Sequence, residues 1–244
     1  MQQRRDVEHA ARIDVHSHLL PGIDDGCQTV EESVACARAL VEAGYSHAFC
    51  TPHIWPSLPR NTIANIRRWT AELQQELDRR MVRLTVLPGG EINLTPQFMQ
   101  TDPAGVVTYA LAGRFAIFDL WADRLPSHFE PAVRWLQALG LNVLLAHPER
   151  MRAVQDEPDL ADYFDDLGLL LQGNLQCFCD PSHTPTRRTA ELLLPPRRYF
   201  CLGSDCHGLQ SLDTRLPGLD VVRNLVGADA LDRLTIVNPR QLLP

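Results

Sequence analysis

Seven short apolar runs, separated by stretches of helical periodicity, set the narrowest limit on how this chain can fold. They cover Ile13–His18, Tyr45–Thr51, Met81–Leu87, Arg114–Phe118, Leu141–Ala146, Leu169–Gln172 and Arg198–Leu202. Between the first two, Val30, Val34, Ala37, Leu40 and Val41 recur at helical spacing; between the next two, Ile63, Ile66, Leu73 and Leu77 do the same. Thr29 and Glu32 stand three apart as a capping box, and Gly44 marks the end of that helix. Further helices are expected over Asn61–Arg80, from Pro131 to Gly140 and over Leu160–Leu167, with one or two in the tail. Such alternation calls for parallel strands with helices packed outside them. The expectation is an α/β fold, a distorted TIM-like (β/α)7 barrel. Its 244 residues suit a single domain over 1–244.

The residues at the ends of these runs carry the chemistry. Parallel barrel strands gather their C-terminal ends on one face, where active sites sit. Six of the seven runs end in metal-ligating residues: His16 and His18, His53, Glu91, Asp119, His147, and Asp205 with His207. The seventh ends near Asn174. In a strand, residues two apart point to the same side, so His16 and His18 present both imidazoles to one point. Asp25, in the loop that follows, is near enough to join them. Five histidines and four carboxylates are too many for one tetrahedral ion and suit two or three. Mixed imidazole and carboxylate donors favour Mn, Fe or Zn over Mg or Ca. Clustered ions of this kind activate water and clamp phosphoryl oxygens.

Composition narrows the remaining classes. A net charge of −7 argues against a nucleic-acid face or an acidic membrane surface as the main partner. All 23 basic residues are arginine, which excludes a Schiff-base lysine and a Walker-type phosphate lysine. No apolar run approaches the ~20 residues of a membrane span. The polar start, Met1 to His9, has no secretory apolar region. Seven scattered cysteines fit a reducing cytoplasm. The spacing of Cys177, Cys179 and His183 is too short for the usual zinc pattern, so buried or half-buried thiols are expected there. No cysteine has an arginine six residues later, as a cysteine-nucleophile phosphatase requires.

His16-x-His18, Asp24-Asp25-Gly26, Thr51-Pro52-His53, Gly90-Glu91-Ile92, His147-Pro148-Glu149-Arg150, Ser204-Asp205-x-His207 and Asn238-Pro239 follow one another in an order that resembles the PHP (polymerase and histidinol phosphatase) superfamily. Leu20-Pro21-Gly22-Ile23-Asp24-Asp25-Gly26, His-Pro-Glu-Arg and the closing Asn-Pro-Arg resemble its CpsB/CapC branch of bacterial metal-dependent protein-tyrosine phosphatases. That resemblance implies a trinuclear centre, with Mn the first expectation. It places His16, His18, Glu91 and Asp205 on one ion, with Glu91 bridging to a second held by His53 and His147. Asp25, Asp119 and His207 would hold the third. Arg150, and Arg215 in a looser match, would grip phosphate, since guanidinium suits that anion by bidentate hydrogen bonding. The implied reaction is phosphomonoester hydrolysis by metal-activated hydroxide. The implied partner is a phosphotyrosine protein, the tail of a bacterial tyrosine autokinase of capsule or exopolysaccharide synthesis; an oligomer is compatible.

Two departures from the family pattern stand out. Asp119 occupies a position where glutamate is usual, one methylene shorter. The segment from Cys177 to Pro196 is rich in Cys, Pro and Arg where the family has a plainer helix. The readings left open are a small-molecule phosphatase of the histidinol-phosphate type, and a metal-binding scaffold without turnover.

Overall fold

A proline and a pair of glycines turn the seven expected runs into nine strands among the described residues. The computed structural model describes residues 11–194 and 198–244. The polar start, and the end of the Cys177–Pro196 segment at Pro195 and Pro196, lie outside the described residues. The strands are β1 (Arg12–Ser17), β2 (Tyr45–Cys50), β3 (His53–Ile54), β4 (Thr85–Pro88), β5 (Glu91–Asn93), β6 (Phe115–Asp119), β7 (Asn142–Ala146), β8 (Leu170–Asn174) and β9 (Tyr199–Gly203). Pro52, which has no amide hydrogen to give a ladder, separates β2 from β3. Gly89 and Gly90 separate β4 from β5, and a Cβ on Gly90 would meet Val107 Cγ1 at 2.8 Å and Ile54 Cδ1 at 2.9 Å. The chain passes too close to its neighbours there for a side chain.

Every pairing is parallel, in two sheets ordered β1-β2-β4 and β3-β5-β6-β7-β8-β9. Each broken run therefore starts in one sheet and finishes in the other. The seam between β9 and β1 has one bridge, Ser17 to Cys206. Around it, the Asp205 amide donates to the His16 carbonyl at 2.7 Å and the His18 amide to the Cys206 carbonyl at 2.9 Å. The expected α/β class, parallel strands with helices between them, is the arrangement found, in two sheets compatible with the expected barrel.

Helices α1 (Val30–Glu42), α2 (Ile63–Arg79), α3 (Phe129–Ala138), α4 (Arg152–Asp156), α5 (Leu160–Asp166) and α6 (Pro185–Leu193) fall between strands. α7 (Leu209–Arg215), α8 (Gly218–Val226) and α9 (Ala228–Asp232) form the tail, more helix than expected there. Thr29 caps α1 by accepting from the Glu32 amide, but the Glu32 carboxylate reaches the Gln28 amide rather than that of Thr29. Thr62 caps α2 and Thr184 caps α6, with Pro185 in the first turn of α6, where its missing amide costs nothing. The stretch before β6 holds three short 3-10 turns.

Two apolar layers follow from strand alternation. One packs the helices against outward residues such as Ala48, Phe118, Val143, Leu145 and Leu171. The other fills the space inside the strands with Ile13, Val15, Phe49, Ile117, Leu144, Ala146 and Cys201. β1 contains an irregularity that matters for function. Asp14 pairs with Ala48, yet Ser17 pairs with Cys50, so one extra residue sits in β1 between these rungs. A bulge of this kind re-aims side chains. Val15 joins the inner apolar layer while the next residue, His16, still turns inward to the site.

Asp14 ties the seam. Its buried carboxylate accepts from the Ser204 amide at 2.8 Å and the Ser204 hydroxyl at 2.5 Å, linking β1 to the end of β9. Burial pushes this carboxyl up to about 6, against the pull of the Ser204 hydrogen bonds. Asp14→Ala leaves the Ser204 donors without a partner and is expected to lower unfolding free energy by about 2–4 kcal/mol, with Asp14→Asn losing less. Urea unfolding in the presence of chelator, followed by circular dichroism, measures this; a loss below about 0.5 kcal/mol would show that the seam does not depend on Asp14.

Candidate metal centre

The strand ends converge on Glu91. This carboxylate opens β5 and is only 1% exposed. Its Oε2 lies 3.4 Å from His16 Nε2, 3.6 Å from His18 Nε2 and 2.8 Å from His53 Nδ1. Its Oε1 is hydrogen-bonded to His147 Nε2 at 2.9 Å. Asp205 Oδ1 faces the same pair of histidines, 3.6 Å from His16 Nε2 and 3.5 Å from His18 Nε2. His16 and His18 present their Nε2 atoms 3.4 Å apart. An ion bound at about 2.0–2.2 Å to nitrogen and oxygen donors fits among atoms so spaced.

The other ring nitrogens are already engaged. His16 Nδ1 meets Gln172 Oε1 at 2.8 Å, His18 Nδ1 meets Asp24 Oδ2 at 2.8 Å, and His207 Nδ1 meets its neighbour's backbone, the Asp205 carbonyl, at 2.8 Å. Each contact fixes a ring with Nδ1–H as donor and leaves Nε2 as a free lone pair, the second-sphere pattern of metal-binding histidines. Glu91 Oε2 and His53 Nδ1 are buried 2.8 Å apart, without hydrogen-bond geometry to each other or to other described residues. Buried polar atoms without partners are costly. A cation between them removes that cost, so the donor set fits metal ions.

A second group forms around Asp25. Its Oδ1 lies 3.2 Å from His53 Nε2 and 3.4 Å from His207 Nε2, with His18 close by. This changes the expected grouping. Asp119 does not join Asp25 and His207; His53 does. Asp119 sits on the other flank, where its two oxygens accept from Asn93 Nδ2 at 3.3 Å and Trp121 Nε1 at 2.9 Å. Burial raises its carboxyl to about 6, and the Glu91 charge adds to the rise, while nearby His147 and His53 oppose it. The reason is topological: β3 carries His53 beside the Asp25 loop, whereas β6 lies beyond β5, two strands from it.

Burial favours the neutral form of Glu91, yet His16, His147 and His53 win and hold its carboxyl well below the usual range. Asp205 is held below its usual range in the same way, by His18 and His16 against burial. Two of the converging residues sit in left-handed backbone, His147 at φ 34° and Asp205 at φ 51°. Strain of this kind costs about 1–3 kcal/mol and collects where geometry is dictated by function.

Both expected arginines reach the centre. Arg150 Nη1 donates to Asp205 Oδ2 at 3.0 Å and remains 30% exposed at its side chain. Arg215 lies 3.6 Å from the same oxygen, also donates to the Ser204 carbonyl, and is only 8% exposed. Its Nε has no hydrogen-bond partner among the described residues. Cys177 is buried and Cys179 exposed, and neither belongs to a metal-competent donor group among the described residues.

Residues to which the sequence pattern assigned no role brace these candidate ligands. Glu149, fully buried, accepts from the Asn174 amide at 2.7 Å and the Tyr199 hydroxyl at 2.8 Å. Asn174 Nδ2 in turn donates to Asp205 Oδ2 at 2.7 Å. Asp24 accepts from the Gly26 and His53 amides besides meeting His18. A signal for two of them was present, in the acidic pair Asp24-Asp25 and in the His-Pro-Glu-Arg motif.

A family model described as "Capsular polysaccharide synthesis, CpsB/CapC" matches residues 12–244. The chain belongs to that family. It is 29% identical to tyrosine-protein phosphatase YwqE of Bacillus subtilis over 160 residues, which is 66% of this chain and 63% of that protein. It is 22% identical to tyrosine-protein phosphatase CpsB of Streptococcus agalactiae, over 95% of this chain and 98% of that one. A solved structure described with YwqE from Bacillus subtilis and CpsB from Streptococcus pneumoniae, "unique metal-dependent tyrosine phosphatases", superposes with a TM-score of 0.83 at 25% identity, covering 91% of this chain and 90% of that one.

Asp24→Asn weakens the partner of His18 Nδ1 without changing side-chain size. Metal affinity, measured by competition with a chromogenic chelator, is expected to fall about 10–100-fold. An affinity within twofold of the parent would mean that Asp24 does not support a ligand.

Proposed function

We propose that this chain is a metal-dependent protein-tyrosine phosphatase, acting as a single domain over residues 1–244. The observation that carries the reading is the ring of four histidines around the buried Glu91 carboxylate, next to a half-exposed Arg150. In this reading His16, His18, Glu91 and Asp205 hold one ion. Glu91, Asp119 and His147 hold a second, and Asp25, His53 and His207 a third. Mn is the first candidate, with Fe or Zn as alternatives. When bound, the ions supply an activated water and neutralise charge on a phosphoryl group.

The chain's own residues do the rest. Gln172 and Asp24 hold His16 and His18 in one tautomer, so that the ligating nitrogens are preorganised. Arg150 turns its remaining donors toward a phosphoryl oxygen beside Asp205. Arg215, deeper, balances the negative charge of Asp205 and supplies a second guanidinium toward the same phosphate. No cysteine is needed as nucleophile.

The substrate is a phosphotyrosine protein, and the tail of a bacterial tyrosine autokinase of capsule synthesis is the partner this reading assigns. The names of YwqE and CpsB support phosphotyrosine over a small-molecule phosphate. A cytoplasmic location agrees with seven free cysteines. Among the described residues no helix is long and apolar enough to cross a membrane.

The test is phosphate release from a phosphotyrosyl peptide and from histidinol phosphate, with Mn-loaded protein, a chelated control and a His16→Ala variant. Turnover of the peptide, abolished by chelation and reduced at least about 100-fold in the variant, is the expected result. Arg150→Lys keeps the charge but not the bidentate fork, and is expected to lower kcat/KM about 10-fold. Preference for histidinol phosphate would move the chain to the small-molecule reading. Bound metal without turnover of either substrate would make it a scaffold.

A further inference from the structure

Among the described residues, Trp121 is the one exposed aromatic side chain that the site itself holds in place. It follows Asp119 by two residues, just past the end of β6, and is 57% exposed. Its indole Nε1 donates to Asp119 Oδ2 at 2.9 Å. The Arg150 guanidinium carbon lies 4.6 Å from its ring centre, and the His147 ring lies 5.8 Å away at 42°. Three residues of the centre thus fix the orientation of a large apolar surface that remains open to solvent. The other tryptophan at the site, Trp55, differs: its ring stacks on His53 at 4.0 Å and its indole nitrogen is buried.

We propose that Trp121 is a specificity-determining residue, the platform on which the aromatic ring of an aryl phosphate packs while Arg150 holds its phosphate. This rests on the phosphatase reading and names the side chain that recognises the aromatic group of the aryl phosphate that reading assigns. Arg150 connects the two halves of the recognition, because one guanidinium contacts both Asp205 at the centre and the face of Trp121. A phosphate held by Arg150 therefore brings its ester substituent alongside the indole. An aromatic substituent gains offset or edge-to-face contact there; an alkyl one has little to place against it. A fixed side chain loses little entropy on contact, which makes it an effective platform. Asp119 acts in this arrangement as a positioning residue for the indole as well as a proposed metal ligand.

The experiment compares phenylphosphonate with methylphosphonate as competitive inhibitors of phosphotyrosyl-peptide turnover by the Mn-loaded protein. These probes share the anion and differ in the ring, and neither has a leaving group. The parent is expected to bind phenylphosphonate about 10-fold more tightly. Trp121→Leu is expected to bring that ratio within about twofold of unity and to raise KM for the peptide more than it lowers kcat. Trp121→Phe, which keeps a ring but cannot donate to Asp119, is expected to retain most of the ratio. Metal content of each variant is measured alongside. If Trp121→Leu weakens both inhibitors equally, or Trp121→Phe is no better than Trp121→Leu, Trp121 serves the structure of the centre and the inference fails. Absence of peptide turnover by the parent would instead overturn the phosphatase reading on which it rests.

Discussion

A single buried carboxylate governs this molecule. Glu91 has four histidine nitrogens within 3.6 Å and almost no exposure to water. So many buried charged and polar groups are costly to hold away from water, and cations bound among them would offset that cost. Much of the architecture follows from that demand. The break in the second run lets His53 leave one sheet and enter the other directly beside Glu91, with which it pairs in register. The break in the third run does the same for Glu91 itself. The bulge in β1 keeps His16 pointing inward without removing Val15 from the apolar filling beneath it.

The ligands are held by a second layer as ordered as the first. Gln172 and Asn174 come from β8 and Asp24 from the loop after β1, and they meet His16, Asp205 and His18; Glu149, from the turn after β7, holds Asn174 in turn. Left-handed backbone at His147 and Asp205 is stabilised within this network: their amides donate to the Gln172 and His16 carbonyls, both at 2.7 Å. The seam between β9 and β1, with its single bridge, passes through the same region. The candidate metal centre and the seam between the two sheets therefore share one set of contacts.

Much of this was legible in the sequence, for definite reasons. Parallel strands put chemistry at their C-terminal ends, so the order His16, His53, Glu91, Asp119, His147, Asp205 pointed to an α/β fold and to the cluster in which these side chains meet. Strand parity predicted that His16 and His18 present their rings to one point; their Nε2 atoms do meet, at 3.4 Å, although β1 ends at Ser17 and His18 lies just beyond it. Other features depend on what lies across space rather than along the chain. The partnership of Asp25 with His53, in place of Asp119, is set by strand order. The splitting of two runs follows from Pro52 and from the close passage at Gly90, whose neighbours Val107 and Ile54 are distant in sequence. Gln172 reads as an ordinary polar end to an apolar run until its proximity to His16 is known. Trp121 reads as a lone aromatic in a loop until Arg150 is seen against it.

The central claim is that Glu91 and the surrounding histidines exist to hold metal ions. Anomalous diffraction from crystals of the protein grown without chelator, collected across the Mn, Fe and Zn absorption edges, tests it most directly. The account predicts one peak among His16, His18, Glu91 and Asp205, a second among Asp25, His53 and His207, and a third beside His147 and Glu91. A map without peaks, in crystals supplied with these ions and with Glu91 in its present contacts, would contradict it.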